Sequence, residues 1–240
     1  MKLEELIKNF RLKPEERKTI IGGDKAKDQS NKEQFIPASF KEIAKCILSG
    51  HFEVSVENKV VRNIYPTCVE IYYHEESDDE DAIKDYIVYH RNTPSEHLNL
   101  FQPGTINAHQ SGIDITFEHQ DCNGNVVRAS ALIRKFRIDF ENNDYMVEST
   151  KYPKEDDRST FLYEALFTNL PICKGFMIKW KDEEDKELEI KYDFRQNVLP
   201  YKLAADCSEE EKKNKPTDYA YKAKDEGPKN DGRCWQFSKK

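Results

Sequence analysis

The chain has 240 residues, enough for one large domain or two small ones with a sizeable core. Hydrophobic residues make up 37%, charged residues 35% and aromatic residues 11% of the sequence, and the aromatic content argues against a disordered chain. The formal net charge of −7 disfavours tight, non-specific binding to nucleic acid, although charge segregation still permits a local basic groove.

The cysteine spacing and the N-terminus exclude two further classes. Six cysteines occur without a CxxC pair, so we expect no zinc site. Residues 1–18 are charged and lack a long apolar stretch, which argues against a signal peptide or a membrane span. We expect a cytoplasmic, monomeric protein with reduced thiols.

The first third of the chain predicts helices followed by strands. Leu3, Leu6, Ile7 and Phe10 recur at helical spacing, and Pro14 ends or restarts that helix. Residues 22–34 are polar and predict a mobile loop within a polar N-terminal extension of about residues 1–35. Residues 39–42 then resemble a capping box, and an apolar stripe predicts a helix that stops at Gly50.

Alternating patterns predict strands in the middle of the chain. Residues 52–61 read as two strands joined by a turn at 57–59, and residues 68–73 as a third. Pro103 and Gly104 fit the centre of a type II turn. Further strands are expected at 112–119 and 127–140, with Asn123-Gly124 as a turn between them.

The last third predicts one helix and one hairpin. The helix covers residues 159–168, and the hairpin joins residues 175–180 to 188–194 through a polar turn. Residues 206–233 are rich in charge and proline and predict a polar surface segment, after which residues 234–237 dock. Without an internal repeat or a clean linker, we expect a single domain over residues 1–240.

Glu70 is the first candidate for chemistry. It lies mid-strand between Val69 and Ile71, and the period of two places it on one face with Tyr72. A buried carboxylate beside a cation is a candidate general base. The alternative, which is commoner for this pattern, is an edge strand with Glu70 in water.

Arg134 is the second candidate. It follows an apolar run and alternates with Leu132 and Phe136. Arginine stays charged and forks onto carboxylates, so a Glu70–Arg134 pair could hold a water molecule. A structural salt bridge or a surface arginine is the alternative. The acidic run at 75–81 lacks the EF-hand spacing and predicts a solvated loop.

The order of these segments resembles the alkyladenine (3-methyladenine) DNA glycosylase family from about residue 40 to Phe237. Residues 43–48 resemble the family's "LAxxLLG" helix, 69–72 its "TEAY" strand and 101–105 its "MFxxPGT" turn. Residues 131–134 resemble "VLIRA", 162–166 the helix "KLxQAL" and 235–237 the closing "WRF".

The resemblance implies roles for particular residues. Glu70 would be the catalytic base, Arg134 would help to hold the attacking water, and Tyr72 would stack on the flipped base. The second stacking position falls on His109, a family histidine falls near Asp85, and a pocket asparagine falls near Glu118. The wedge tyrosine falls at residues 110–111, where neither residue is a wedge, which predicts poor action on duplex DNA.

The implied fold is mixed α/β (α+β), with a curved, mainly antiparallel sheet and surrounding helices. The implied function is hydrolysis of the N-glycosidic bond of a modified purine in DNA or a nucleotide, without a cofactor. The alternative is a repurposed or non-catalytic relative that binds a nucleotide, a single strand or a protein partner in the same cleft. A basic rim around Glu70 would favour nucleic acid, and an acidic rim would favour the alternative.

Overall fold

The computed structural model describes residues 2–25, 32–77, 79–85, 100–109, 112–145, 155–156, 159, 161–195, 201–203, 220–222 and 233–240. Its helices are α1 (Leu3–Lys8), α2 (Pro14–Lys25), α3 (Ala38–Ser49) and α4 (Phe161–Phe167). Its first six strands are β1 (His51–Val56), β2 (Lys59–Glu76), β3 (Ile106–His109), β4 (Gly112–Thr116), β5 (His119–Gln120) and β6 (Val126–Phe140). The others are β7 (Glu155–Asp156), β8 (Phe176–Lys181), β9 (Ile190–Asp193), β10 (Tyr201–Leu203), β11 (Ala220–Lys222) and β12 (Gln236–Lys239).

The fold is mixed α/β, built on a curled antiparallel sheet with few helices. Its main path runs β3-β4-β6-β2-β1-β8. Strand β2 is the centre, because one of its edges pairs with β6 from Arg62 to Glu76. Its other edge is shared, first by β1 and then by β12. Strand β9 extends the sheet beyond β12, and β10 pairs with β11 apart from it.

The apolar core lies on the face of the sheet that α3 covers. Phe40, Ile43, Ala44, Ile47 and Leu48 of α3 are all buried, as their stripe predicted. The Phe40 ring packs 5.9 Å from that of Tyr73 and 5.1 Å from that of Trp235. Residues 1–35 are highly charged, yet Leu3, Ile7, Phe10 and Ile20 are part of this core.

Neither twelve-residue helix, nor any shorter helix of the described residues, has the length and apolar composition needed to span a bilayer.

Several local predictions are confirmed. Gly104 has φ +85°, and Thr105 N–H donates to the Gln102 carbonyl at 3.0 Å, as a type II turn requires. The turn at Asn123-Gly124 and the helix within residues 159–168 are present. Strand β12 docks residues 236–239 against β2, with Phe237 buried.

The predicted capping box is wrong. Helix α3 begins at Ala38, and its N-cap Pro37 makes no side-chain cap. The Glu16 carboxylate of α2 accepts the Ser39 N–H at 2.8 Å instead. Glu16 also accepts the Lys13 N–H at 3.1 Å. A tertiary contact therefore supplies the acceptor that a local cap would have supplied.

The predicted hairpin of residues 175–180 and 188–194 is also wrong. Strand β8 pairs with β1, and β9 pairs with β12. Strands β1 and β12 share one edge of the long strand β2. The outer edge of β1 is therefore free to pair with β8, and the outer edge of β12 is free to pair with β9.

The predicted mobile loop at 22–34 is corrected in part, because α2 continues to Lys25 and residues 32–35 form a 3-10 turn. Residues 26–31 lie outside the described residues, as does most of 206–233.

Gly50 gives a test of this packing. A Cβ at Gly50 would lie 2.4 Å from Trp180 Cζ2 and 2.7 Å from the Lys181 carbonyl oxygen. We expect Gly50→Ala to lower the free energy of unfolding by about 1–3 kcal/mol through overpacking, measured by urea denaturation. Gly22→Ala is the control, because Gly22 lies within helix α2 and a Cβ there would come no closer than 4.0 Å to its nearest neighbour, Phe35. Alanine is also the better helix former. Equal stability of Gly50→Ala and wild type would contradict the close packing of β8 on Gly50.

Candidate active site

The long pairing of β2 with β6 creates a second, polar face behind the core. Val69, Ile71 and Tyr73 point to the core, whereas Glu70 and Tyr72 point to the opposite side. We call that side the polar face. It also carries the following residues on β2, β6 and β4: His74, Arg128, Ser130, Leu132, Asp114 and Thr116. All six are buried. Polar groups at such positions require partners.

Glu70 and Tyr72 are bonded directly. The Tyr72 hydroxyl donates to Glu70 Oε2 at 2.7 Å. Glu70 is completely buried, so the commoner expectation of a solvated edge-strand glutamate is wrong. Strand β2 is central at this point, with Glu70 opposite Leu132 on β6 and opposite Gln236 on β12.

A bulge aims Arg134 at Glu70. The register of β2 and β6 is irregular between Pro66 and Val69, and it leaves Thr67 and Arg134 without partners in the ladder. The predicted alternation of Arg134 with Phe136 therefore breaks, and Phe136 points to the core. Bulges commonly redirect a side chain next to a functional site.

The Glu70–Arg134 pair is an ion pair at the edge of the buried region. Arg134 Nε lies 3.5 Å from Glu70 Oε1. The glutamate side chain is 1% exposed and the arginine side chain 25% exposed. The pair therefore joins a buried carboxylate to a guanidinium that reaches partly into solvent.

A second ion pair supports the ring of Tyr72. Arg195 follows β9, and its two terminal nitrogens contact the two oxygens of Asp85 at 2.8 and 3.3 Å. Both side chains are almost fully buried. The Arg195 guanidinium lies 4.7 Å from the centre of the Tyr72 ring. Asp85 also accepts the Tyr73 N–H at 3.2 Å.

These contacts shift the protonation of their neighbours. Burial, and then the nearby Glu70, raise the pKa of Tyr72 well above its ordinary value. Burial and Glu70 also raise the pKa of Cys68 to about 12, so this thiol stays protonated. Burial alone would raise the pKa of Asp85, but Arg195 and Arg233 outweigh it and hold that pKa below its ordinary value. Asp85 is therefore an ionised structural partner.

The remaining predicted residues are placed differently. Asp85 reaches Glu70 only through Arg195 and Tyr72. Glu118 is buried and binds Arg128 at 3.0 Å and the Phe101 N–H at 2.9 Å. Arg128 is opposite His74, which is four residues along β2 from Glu70. The Glu118–Arg128 pair is therefore about 13 Å from Glu70 along the strand. His109 ends β3, and only its backbone is described, paired with Gly112.

Beside Glu70 lie three cations and one exposed carboxylate, Asp193, which is opposite Gln236 and so two strands from Glu70. We call this surface the basic rim. Arg134, Lys135 and Lys191 all act electrostatically on Cys68, two residues before Glu70. Lys135 and Lys191 are exposed, and no carboxylate of a described residue lies within ion-pairing distance of either. Cations gathered on one side of an acidic chain favour an anionic ligand.

Sequence reasoning missed two buried residues of this region. Asp114 lies on the polar face, opposite Leu132 and so two strands from Glu70. Its pattern, an aspartate between Ile113 and Ile115, could have identified it. Arg195 offered no such pattern, because its place depends on the pairing of β9 with β12.

The arrangement suits proton transfer to a carboxylate. Glu70 is an oxygen base with a cation on the solvent side and a hydroxyl donor on the inner side. Within the described ranges, no group of three or more histidine, cysteine, aspartate or glutamate side chains could hold a metal ion.

Asp85 gives a test of the buried network. We expect Asp85→Asn to lower the free energy of unfolding at pH 7 by about 3–5 kcal/mol, because Arg195 loses its charged partner. The folded pKa of Asp85 is depressed, so its contribution is present above about pH 3.9 and is lost as pH falls further. Urea denaturation from pH 7 to 3 should show this acid loss in wild type and not in the variant. The control, Asp139→Asn, breaks an exposed pair with Arg137 and should cost no more than about 1 kcal/mol. Equal effects of the two variants would contradict the role of Asp85.

The chain was compared with family models, curated proteins and solved structures. No family model matches it, and no curated protein or solved structure shows a significant match. The resemblance to the alkyladenine DNA glycosylases stays a prediction, carried by the order of the sequence motifs.

Proposed function

We propose that the chain hydrolyses the N-glycosidic bond of a modified purine nucleotide, with Glu70 as the general base. The observation that carries the proposal is the buried Glu70 carboxylate, paired with the partly exposed Arg134 at a bulge. The curled antiparallel sheet with peripheral helices agrees with an alkyladenine-glycosylase-like fold, which is part of the same proposal.

The chemistry requires an ionised Glu70. A neighbouring cation favours the charged form of a buried carboxylate, and Arg134 supplies one at 3.5 Å. Glu70 would take a proton from a water molecule, and the oxygen of that water would bond to the anomeric carbon. The electron pair of the broken C–N bond would leave with the base. A purine alkylated at N3 or N7 carries a positive charge in the nucleotide, so it departs neutral and needs no proton from the protein. A deaminated purine is neutral and would have to take a proton from water as it leaves.

The basic rim supports an anionic substrate. Lys135 lies opposite Cys68 on β6, and Lys191 lies two strands from Cys68 on β9, across Ser238 of β12. Phosphate groups of a nucleotide or a strand would be neutralised there. The acidic net charge of −7 limits binding to this one surface.

A second candidate function is binding without cleavage. One observation favours it, namely that Arg195 already stacks on the Tyr72 ring. That face of the ring is closed to a flipped base, and the Tyr72 hydroxyl is bonded to Glu70. A repurposed relative would hold a nucleotide or a single strand at the basic rim alone.

Base release tests the proposed reaction. We expect Glu70→Gln to reduce release of free base from alkylated or deaminated purine oligonucleotides by ~10²–10⁴-fold, because an amide cannot accept the proton. Single-stranded and duplex substrates should both be assayed. Glu75→Gln is the matched control, since Glu75 is a buried, tyrosine-bonded glutamate on the other side of β2. Full activity of Glu70→Gln would refute Glu70 as the base, and no release by wild type would favour the second candidate.

Nucleic-acid affinity tests the rim. We expect weak binding that falls steeply with salt, and the double variant Lys135→Glu/Lys191→Glu should weaken it further. The slope of log affinity against log salt should drop by about 0.7–0.9 for each lost phosphate contact. Fluorescence anisotropy with labelled single strands and duplexes measures both quantities. Lys59→Glu, at the exposed β1–β2 turn, matches the charge change per site. If Lys59→Glu weakened nucleic-acid binding as much as each rim substitution, the loss of affinity would reflect the total charge of the protein and not a contact at the rim.

A further inference from the structure

We infer that Tyr72 is a positioning residue, which holds Glu70 through its hydroxyl group while Arg195, clamped by Asp85, holds the Tyr72 ring. This inference rests on the proposed function, because it assigns the proton acceptor of the same site. It departs from the expectation that Tyr72 is an open stacking surface.

The two carboxylate oxygens of Glu70 have different partners. Tyr72 donates to Glu70 Oε2 at 2.7 Å, and Arg134 lies nearest to Oε1 at 3.5 Å. A 2.7 Å bond to a carboxylate is short and charge-assisted, and it favours the ionised form. Oε1, the oxygen beside Arg134, is itself buried, and it is the one that we assign as the proton acceptor.

The ring is held from behind by a fixed guanidinium. Arg195 donates to the Ile71 carbonyl at 3.2 Å, next to Tyr72 in the chain. Its contacts with Asp85 fix the guanidinium plane. It lies 4.7 Å from the Tyr72 ring centre and 5.1 Å from the Trp235 ring centre, so it bridges β2 and the residue that precedes β12. Cation–π contacts of this kind are strongest when desolvated.

The same strand contains a natural comparison. Tyr73 donates to Glu75 at 2.9 Å on the core side of β2. Glu75 also accepts the Ile83 N–H at 2.9 Å and binds Arg17, so both of its oxygens hold structure together. The Glu70–Tyr72 pair has the same chemistry but faces the basic rim. This contrast supplies a matched control for each substitution.

The experiment measures the titration of Glu70 directly. The titratable and charged described groups around its carboxylate are Tyr72, Cys68 and Arg134, with Arg195 behind the tyrosine ring. Asp114 on β4 and Asp193 on β9 lie two strands away in the same row. Carboxylate carbon NMR with assigned Glu70 follows this titration in wild type, Tyr72→Phe and Tyr73→Phe. Phenylalanine keeps the ring and removes only the hydroxyl.

We expect Tyr72→Phe to move the Glu70 midpoint to higher pH by roughly one unit, because the ionised form loses a donor. Tyr73→Phe should leave it unchanged. An unmoved midpoint in Tyr72→Phe would overturn the inference, whether or not the protein releases base. If the midpoint moves but wild type releases no base, the positioning contact stands and the proposed function fails.

Activity and coupling complete the test. In an active protein, Tyr72→Phe should lower kcat and shift the acid limb of the pH profile upwards by the same amount, with KM unchanged because the ring remains. Arg195→Lys keeps the charge but loses the planar fork, and it should move the Glu70 midpoint in the same direction. In the Tyr72→Phe background it should add no further shift. An additive shift would refute the transmission of the Arg195 effect through Tyr72. Should Arg195→Lys fail to fold, Tyr72→Phe alone decides the inference.

Discussion

The structure depends on the pairing of β2 with β6 from Arg62 to Glu76. One side of this ladder forms the core, and the other buries Glu70, Arg128 and Asp114. Removing charges from water costs several kcal/mol per ion, and apolar residues of similar size often replace buried ion pairs without loss of stability. Stability alone therefore gives no reason for so polar a face. Under the proposed function, the Glu70–Arg134 pair supplies the charge that the reaction needs.

The two glutamate–tyrosine pairs of β2 lie on opposite sides of the strand. Tyr73 and Glu75 fasten α2, through Arg17, and residue Ile83 to the core side. Tyr72 and Glu70 lie one pleat away, so the period of two places them on the opposite side. The chemistry of the two pairs is alike. What differs is that Glu70 is next to a bulge and near the exposed Lys135 and Lys191, whereas Glu75 binds Arg17 and the Ile83 N–H.

Local patterns predicted the elements well where local forces decide them. The apolar stripe of α3 and the glycine at Gly104 fix a helix and a turn from a few neighbouring residues. The capping box failed because Glu16, more than twenty residues earlier, supplies the acceptor for Ser39. The direction of Arg134 was expected from alternation with Phe136, but the bulge at Thr67 and Arg134 separates these two side chains. No pattern of residues in β6 alone reveals where the register of β2 will slip.

The wrong hairpin and the unpredicted Arg195 have a single cause. Had β9 folded back on β8, Arg195 would have followed it to the far side of β1, away from Glu70. Because β9 pairs with β12, and Gln236 of β12 lies opposite Glu70, the residue that follows β9 arrives beside Tyr72. Strand partnership is set by free edges distant in sequence, which hydrophobic alternation does not encode. The sequence therefore predicted the site residues on β2 and β6. It did not predict Arg195, because the position of that residue depends on which sheet edge β9 joins.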